Sequence, residues 1–170
     1  MPLIKNGELV ADRWQRLDDE AALPGDGDVI LSLDRLKADR DTIATRSGET
    51  GVILPNSAQV EEIEALLPHL SLIALEFPAF TDGRAYSQAR QLRTKLGYTG
   101  QLRAIGVVLA DQAAFMRRVG IDAFETDGRQ SLATWKKALH AITLAYQRGY
   151  DGDAATREGG RRDAPARART

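Results

Sequence analysis

The chain has no cysteine among its 170 residues. Disulfides, thiolate zinc sites, cysteine nucleophiles and cysteine-ligated iron–sulfur clusters are therefore excluded within it. The same absence fits a reducing compartment. No apolar run approaches the ~18 residues of a membrane helix. The stretch Met1 to Val10 carries Lys5 but no apolar core of a secretory signal. The expectation is a cytoplasmic protein without membrane contact. An excess of one charge is also lacking: 23 basic residues face 24 acidic ones, for a net charge of −1. That balance argues against a general nucleic-acid or membrane-surface binder.

Familiar chemical devices are missing too. There is no G-x-G-x-x-G after a strand, no G-x-x-x-x-G-K-[ST] and no G-x-S-x-G. The two histidines, His69 and His140, have no second histidine nearby and form neither a metal pair nor a triad. The sequence is read as holding no metal and no cofactor, with a flavin module the weakest of the functional alternatives.

What is present is a repeating pattern. Leu3 to Val10 reads as a small β-hairpin, because Asn6-Gly7 tolerates the positive φ angles of a type I′ turn. A loop follows to Asp28. Five apolar runs then alternate with helical patterns: 29–33, 51–54, 72–77, 102–108 and 121–125. Asp34, Asn56 (with Gln59 in the capping-box position), Asp82, Asp111 and Ser131 are expected to open the intervening helices. Trp135, Leu139, Ile142 and Tyr146 share one face of the last. Strand–helix alternation implies a parallel sheet. The expected fold is a five-stranded, mainly parallel sheet in a three-layer flavodoxin-like sandwich with the N-terminal hairpin attached. A partial (β/α) barrel is the alternative, since it uses the same unit. Residues 1–149 form one α/β domain in this reading, with the hairpin and loop over 1–28. Residues 150–170, with five arginines against four acids, read as a disordered tail.

In parallel sheets and barrels alike, ligands bind beyond the carboxyl ends of the strands. Thr81-Asp82-Gly83-Arg84 follows the third run and Thr126-Asp127-Gly128-Arg129 the fifth. This echo makes Asp82, Gly83, Arg84 and Arg129 a candidate anion site. Asp-Gly is equally good loop chemistry before a helix. Asp34, Asp82 and Asp111 read better as helix caps than as metal ligands or acid–base groups, whereas Glu125, at a strand end, has no such account. Tyr86 and Arg93 flank the third helical stripe and are expected to support the loop above it.

One stretch carries a resemblance. Phe77-Pro78-Ala79-Phe80-Thr81-Asp82-Gly83-Arg84-Ala85-Tyr86-Ser87-Gln88-Ala89, then Leu92-Arg93, Gly97-Tyr98-Thr99-Gly100, Leu102 to Gly106, Leu109 to Gln112 and Gly120 to Phe124, resembles the bacterial domain-of-unknown-function family 934. The resemblance is clear over roughly residues 72 to 125. It implies that Phe80, Asp82, Gly83, Arg84, Tyr86, Arg93, Arg103, Asp111 and Gln112 are characteristic positions. Members tend to be encoded beside assimilatory sulfite reductase, and some are labelled probable oxidoreductases. The resemblance therefore implies a role in sulfur assimilation. One position departs: an Asp usually follows the glycine after the fourth strand, and here Val107 stands there. Multi-electron sulfite reduction needs a redox centre, and this chain has no cysteine to ligate a cluster. An accessory protein that binds sulfite reductase or its electron donor is the expected function. A small oxyanion-binding enzyme or sensor is the alternative.

Overall fold

The structure, a computed structural model, describes residues 1–141 and 149–150. Among them eight strands form one sheet: β1 (Leu3–Lys5), β2 (Glu8–Val10), β3 (Gln15–Arg16), β4 (Val29–Leu31), β5 (Thr50–Leu54), β6 (Leu72–Phe77), β7 (Gln101–Gly106) and β8 (Ala123–Glu125). Their spatial order is β2-β1-β8-β7-β6-β5-β4-β3. From β3 to β8 each strand lies parallel to the next in the chain. The hairpin closes through Asn6 (φ 52°) and Gly7 (φ 78°), as a type I′ turn requires. It joins the main sheet by pairing β1 antiparallel to β8.

The helices are α1 (Leu33–Ala38), α2 (Arg40–Ile43), α3 (Arg84–Thr94), α4 (Ala113–Arg118) and α5 (Leu132–Leu139), with 3₁₀ segments at Val60–His69 and Ala110–Gln112. Several caps shift from expectation. Ser32, not Asp34, caps α1, its hydroxyl accepting from the Arg35 amide at 3.1 Å. Gln59, not Asn56, caps the long 3₁₀ segment through a reciprocal box with Glu62. Gly83 is the N-cap of α3, and Asp82 bonds the Arg84 amide from one residue earlier. Ser131 caps α5 as expected. Ile142, Tyr146 and all of the 150–170 tail except Tyr150 lie outside the described residues.

Sequential strand order overturns the flavodoxin-like sandwich, which needs a reversal of strand order. Among the described residues the helices cover one face only. Alternate strand residues such as Val29, Leu31, Val52, Leu54, Ile73, Leu75, Leu102, Ala104 and Phe124 pack with Leu36, Ile63, Ala89, Leu92, Met116 and Trp135 in one large core. The opposite face carries a small cluster, Ile30, Leu72, Ala74 and Ile105, with Trp14 and Ile53 against it.

That second face is concave. Arg16 on β3 reaches Glu125 on β8 at 2.6 Å, although β4, β5, β6 and β7 lie between them. In a flat sheet five strand spacings would separate those backbones by about 24 Å, too far for two side chains to span. The sheet is a curled half-barrel, the alternative architecture, and the segment from Ala11 to Trp14, which joins β2 at one end of the sheet to β3 at the other, crosses its open side.

Candidate functional site

At the carboxyl edge, the loops after β5, β6, β7 and β8 stand side by side. Gln88 of α3, buried, donates its amide to the carbonyls of Pro55 and Ala58 at 2.8 and 2.9 Å, bracing the loop after β5. Gln130 accepts from the Ala110 amide at 2.8 Å, joining the loops after β7 and β8. The amide of Gln112 reaches the Phe80 carbonyl at 3.5 Å. Tyr86 packs edge-on against Phe77, with ring centres 5.4 Å apart. Burial, with the negative charge of Asp111 behind it, raises the Tyr86 phenol pKa.

The repeated Asp-Gly-Arg sequence is a repeated structure. Arg84 donates from Nε to Asp82 Oδ1 at 3.0 Å and from Nη2 to Oδ2 at 2.6 Å. Arg129 meets Asp127 Oδ2 at 3.2 Å through Nε. In each loop the aspartate also accepts the amide of its arginine, at 3.2 and 2.9 Å. The hydrogen bonds from Arg84 hold the Asp82 carboxyl well below the usual carboxylate range. Both arginines project into solvent, with side chains 58% and 88% exposed. An anion binding there would compete with the aspartate already in place.

The apolar content of this edge is high. Phe80 is 53%, Val107 41% and Phe115 58% exposed. They sit on the loop after β6, the loop after β7 and the helix α4 that follows. Val107 is fixed where its amide donates to the Phe77 carbonyl at 2.8 Å. The preceding Gly106 has φ +92°, and a Cβ there would lie 2.5 Å from the same oxygen.

Three residues named from the sequence do not join the loops of this edge. Arg93 belongs to the amino edge, not to the loop above α3. Its side chain is buried. It donates to the carbonyls of Gly120 (3.0 Å), Tyr98 (2.7 Å) and Gly100 (2.7 Å) and pairs with Asp122 at 3.0 Å. The ring of Tyr98 and that of Tyr150 lie 5.7 and 5.2 Å from its guanidinium carbon. Arg103 projects from mid-β7 onto the concave face, fully buried, and binds Asp12 through two nitrogens at 2.7 and 3.0 Å. Glu125 faces the same side and pairs with Arg16.

Burial pushes Asp12 up, but the hydrogen bonds and charge of Arg103 more than offset this, so its pKa is lowered. Asp122 is raised, because burial there outweighs Arg93 and Lys5. Among the described residues no group of three His, Asp or Glu side chains could hold a metal ion. No described helix is long and apolar enough to cross a membrane. Reasoning from the sequence missed Asp12, Arg16 and Gln88, whose partners lie 91, 109 and 33 positions away.

No curated protein matches the chain. A family model described as "Bacterial protein of unknown function (DUF934)" matches residues 51–156. That span takes in β5 but for its first residue, β6 to β8, the Asp82–Arg84 fork, Arg93 and Arg103, and it is more than half of the sequence. The chain belongs to the DUF934 family.

Proposed function

We propose that the protein is an accessory of assimilatory sulfite reduction in the cytoplasm that docks on the reductase or on its electron donor through the carboxyl edge. The observation that carries the docking is the exposure of Phe80, Val107 and Phe115 on adjoining elements of that edge. Large apolar side chains displayed together mark contact surfaces, and aromatic residues are enriched in such contacts. The charged groups of the same edge support this reading, since Arg84 and Arg129 are held by their own aspartates. The pathway rests on the resemblance of the Phe77–Phe124 run to a family encoded beside sulfite reductase, and the missing cysteines favour an accessory over an electron carrier. The test is affinity capture with the purified reductase and, separately, its electron donor. Wild-type protein is expected to retain one of them, and Phe80→Ser with Phe115→Ser to release it without change in melting temperature. Retention of neither component by wild-type protein refutes the proposal.

A second reading, a small oxyanion-binding enzyme or sensor, draws on the recurrence of the Asp–Arg fork in two loops. It requires sulfite or sulfate to raise the melting temperature and Arg84→Ala to abolish the rise.

A further inference from the structure

The amino edge carries a groove that the docking reading does not use. It encloses ≈ 970 Å³ between the lower mouth of the concave face and the ends of the 3₁₀ segment and α3. That is the size of a small-molecule site. Its walls are Trp14, Leu67, Pro68, Leu96 and Tyr98, and Lys5 and Gln101 stand among them.

Lys5 and Gln101 are chemically incomplete. Lys5, half-buried at the end of β1, donates to Gln101 Oε1 at 3.2 Å and has no ion-pair partner among the described residues. Lys37, Lys95 and Lys136 by contrast each hold a glutamate. The bond from Lys5 also fixes the Gln101 amide. Turning it over would set its NH₂ against the ammonium, donor against donor. In the fixed orientation Gln101 Nε2 is buried and has no acceptor.

The competing charges are placed otherwise. Arg13 holds Asp28 and Glu49, so Glu49 is already paired although it lines the groove. Asp122 lies within electrostatic reach of Lys5, but Arg93 binds its carboxylate. Glu64 is the remaining acid of the lining. What is left is one cation, Lys5, held by Gln101 Oε1. Trp14 adds an aromatic body, half-buried, with the Arg13 guanidinium 5.7 Å from its centre.

We infer that this groove binds an amphipathic monoanion, a small carboxylic acid. Its carboxylate takes Lys5 Nζ, the ammonium that Gln101 Oε1 holds at the groove, and its apolar body lies along Trp14, Leu67 and Leu96. A single ammonium matches one negative charge, and the apolar wall selects an aryl or alkyl chain over an inorganic ion. The position at the amino ends of the strands, away from where such sheets do chemistry, makes it a binding site and not a catalytic one.

The probe is 4-phenylbutyrate, titrated into the full chain. Tryptophan fluorescence is the readout, because Trp14 lines the groove whereas Trp135 is wholly buried; the melting temperature is the second. A saturable fluorescence change with a rise in melting temperature is expected. The neutral 4-phenylbutyramide should give neither. Lys5→Gln and Lys5→Met should each weaken binding about tenfold or more, the loss expected for a charge-assisted bond. Two Lys5 variants guard against one that folds poorly. Phe80→Ser, at the opposite edge, should bind as wild type, which separates this site from the docking surface. No saturable response up to about 10 mM, a range that covers the weakest useful ligand affinities, overturns the inference. So does equal binding by the Lys5 variants or by the amide.

Discussion

Asp12 and Arg103 offer the sharpest test of how the half-barrel is held. The guanidinium is fully buried on the concave face, and the carboxylate side chain is 28% exposed. Removing the two partners should therefore have unequal effects. Asp12→Ala strands a buried charge. One-sided breaking of a buried pair costs about 3–5 kcal/mol, and the partial exposure of Asp12 places it near the lower end, about 3 kcal/mol. For a domain of this size that lowers the melting temperature by about 6–12 °C. Arg103→Met keeps an apolar stem on the concave face and returns Asp12 to water, for an expected loss of about 1 kcal/mol. The double variant should then resemble Arg103→Met alone, a coupling of about 3 kcal/mol. Urea unfolding, followed by circular dichroism and by fluorescence, gives all four stabilities. Equal losses in the two single variants, or additive losses in the double, would refute the assignment of Arg103 as a buried charge that depends on Asp12.

Three further outcomes follow from the same geometry. Gly106→Ala should lose about 2 kcal/mol or more, because φ +92° is foreign to an L residue and its Cβ would meet the Phe77 carbonyl at 2.5 Å; urea midpoints check this. Arg93→Lys should lose about 2–4 kcal/mol, since one ammonium cannot reproduce a planar fork that serves three carbonyls and a carboxylate. Faster amide exchange at residues 98–101 would show the release locally. The two shifted aspartates should bend the pH profile in opposite directions. The lowered Asp12 contributes stability in full above its unfolded value of 3.8 and loses it as pH falls through the folded value, so Asp12→Asn flattens the acid limb. The raised Asp122 makes stability decline as pH climbs from 3.8 through its folded value, and Asp122→Asn should remove that slope. Thermal melts from pH 2 to 7 test both.

Much of the fold was legible because its signals are local. Asn6-Gly7 dictates the hairpin turn, and the apolar runs mark β4 to β8 within two residues at each end, those of β4, β7 and β8 each reading two residues too long at one end. Strand order is a non-local property, and no short-range pattern separates a sequential order from one that reverses. A usable signal was nevertheless present. Glu76, Arg103 and Glu125 interrupt the apolar runs, and Gln101 precedes one of them two residues before Arg103. By register Ala74 lies beside Arg103 and Glu76 beside Ile105, so these polar residues share one face. A sheet covered by helices on both sides has no place for such a stripe. Read as alternation instead of as interruptions, the stripe points to a face without helices. The two-residue β3, Gln15–Arg16, has no apolar signature, so the strand that ends the curl could not be seen.

The candidate site was legible as position and not as chemistry. The carboxyl-end rule selected Asp82, Arg84 and Arg129, but each loop satisfies its own charge within three residues, and a local partner at high effective concentration outcompetes a distant one. Arg93 and Arg103 are buried and serve as fold determinants. Arg93 gathers the loops at the amino ends of β7 and β8, and Arg103 secures the segment that crosses the open side. Sheets covered by helices on both faces do not face that problem, and this half-barrel meets it with ion pairs: Asp12–Arg103 at mid-strand and Arg16–Glu125 at the rim. With these groups engaged in closing the fold, the chemistry left for recognition lies at the two ends of the strands. At the carboxyl end it is apolar, in Phe80, Val107 and Phe115. At the amino end it is a lone ammonium beside an indole. Surfaces so different suit different ligands, which is why the docking proposal and the carboxylate proposal can fail separately.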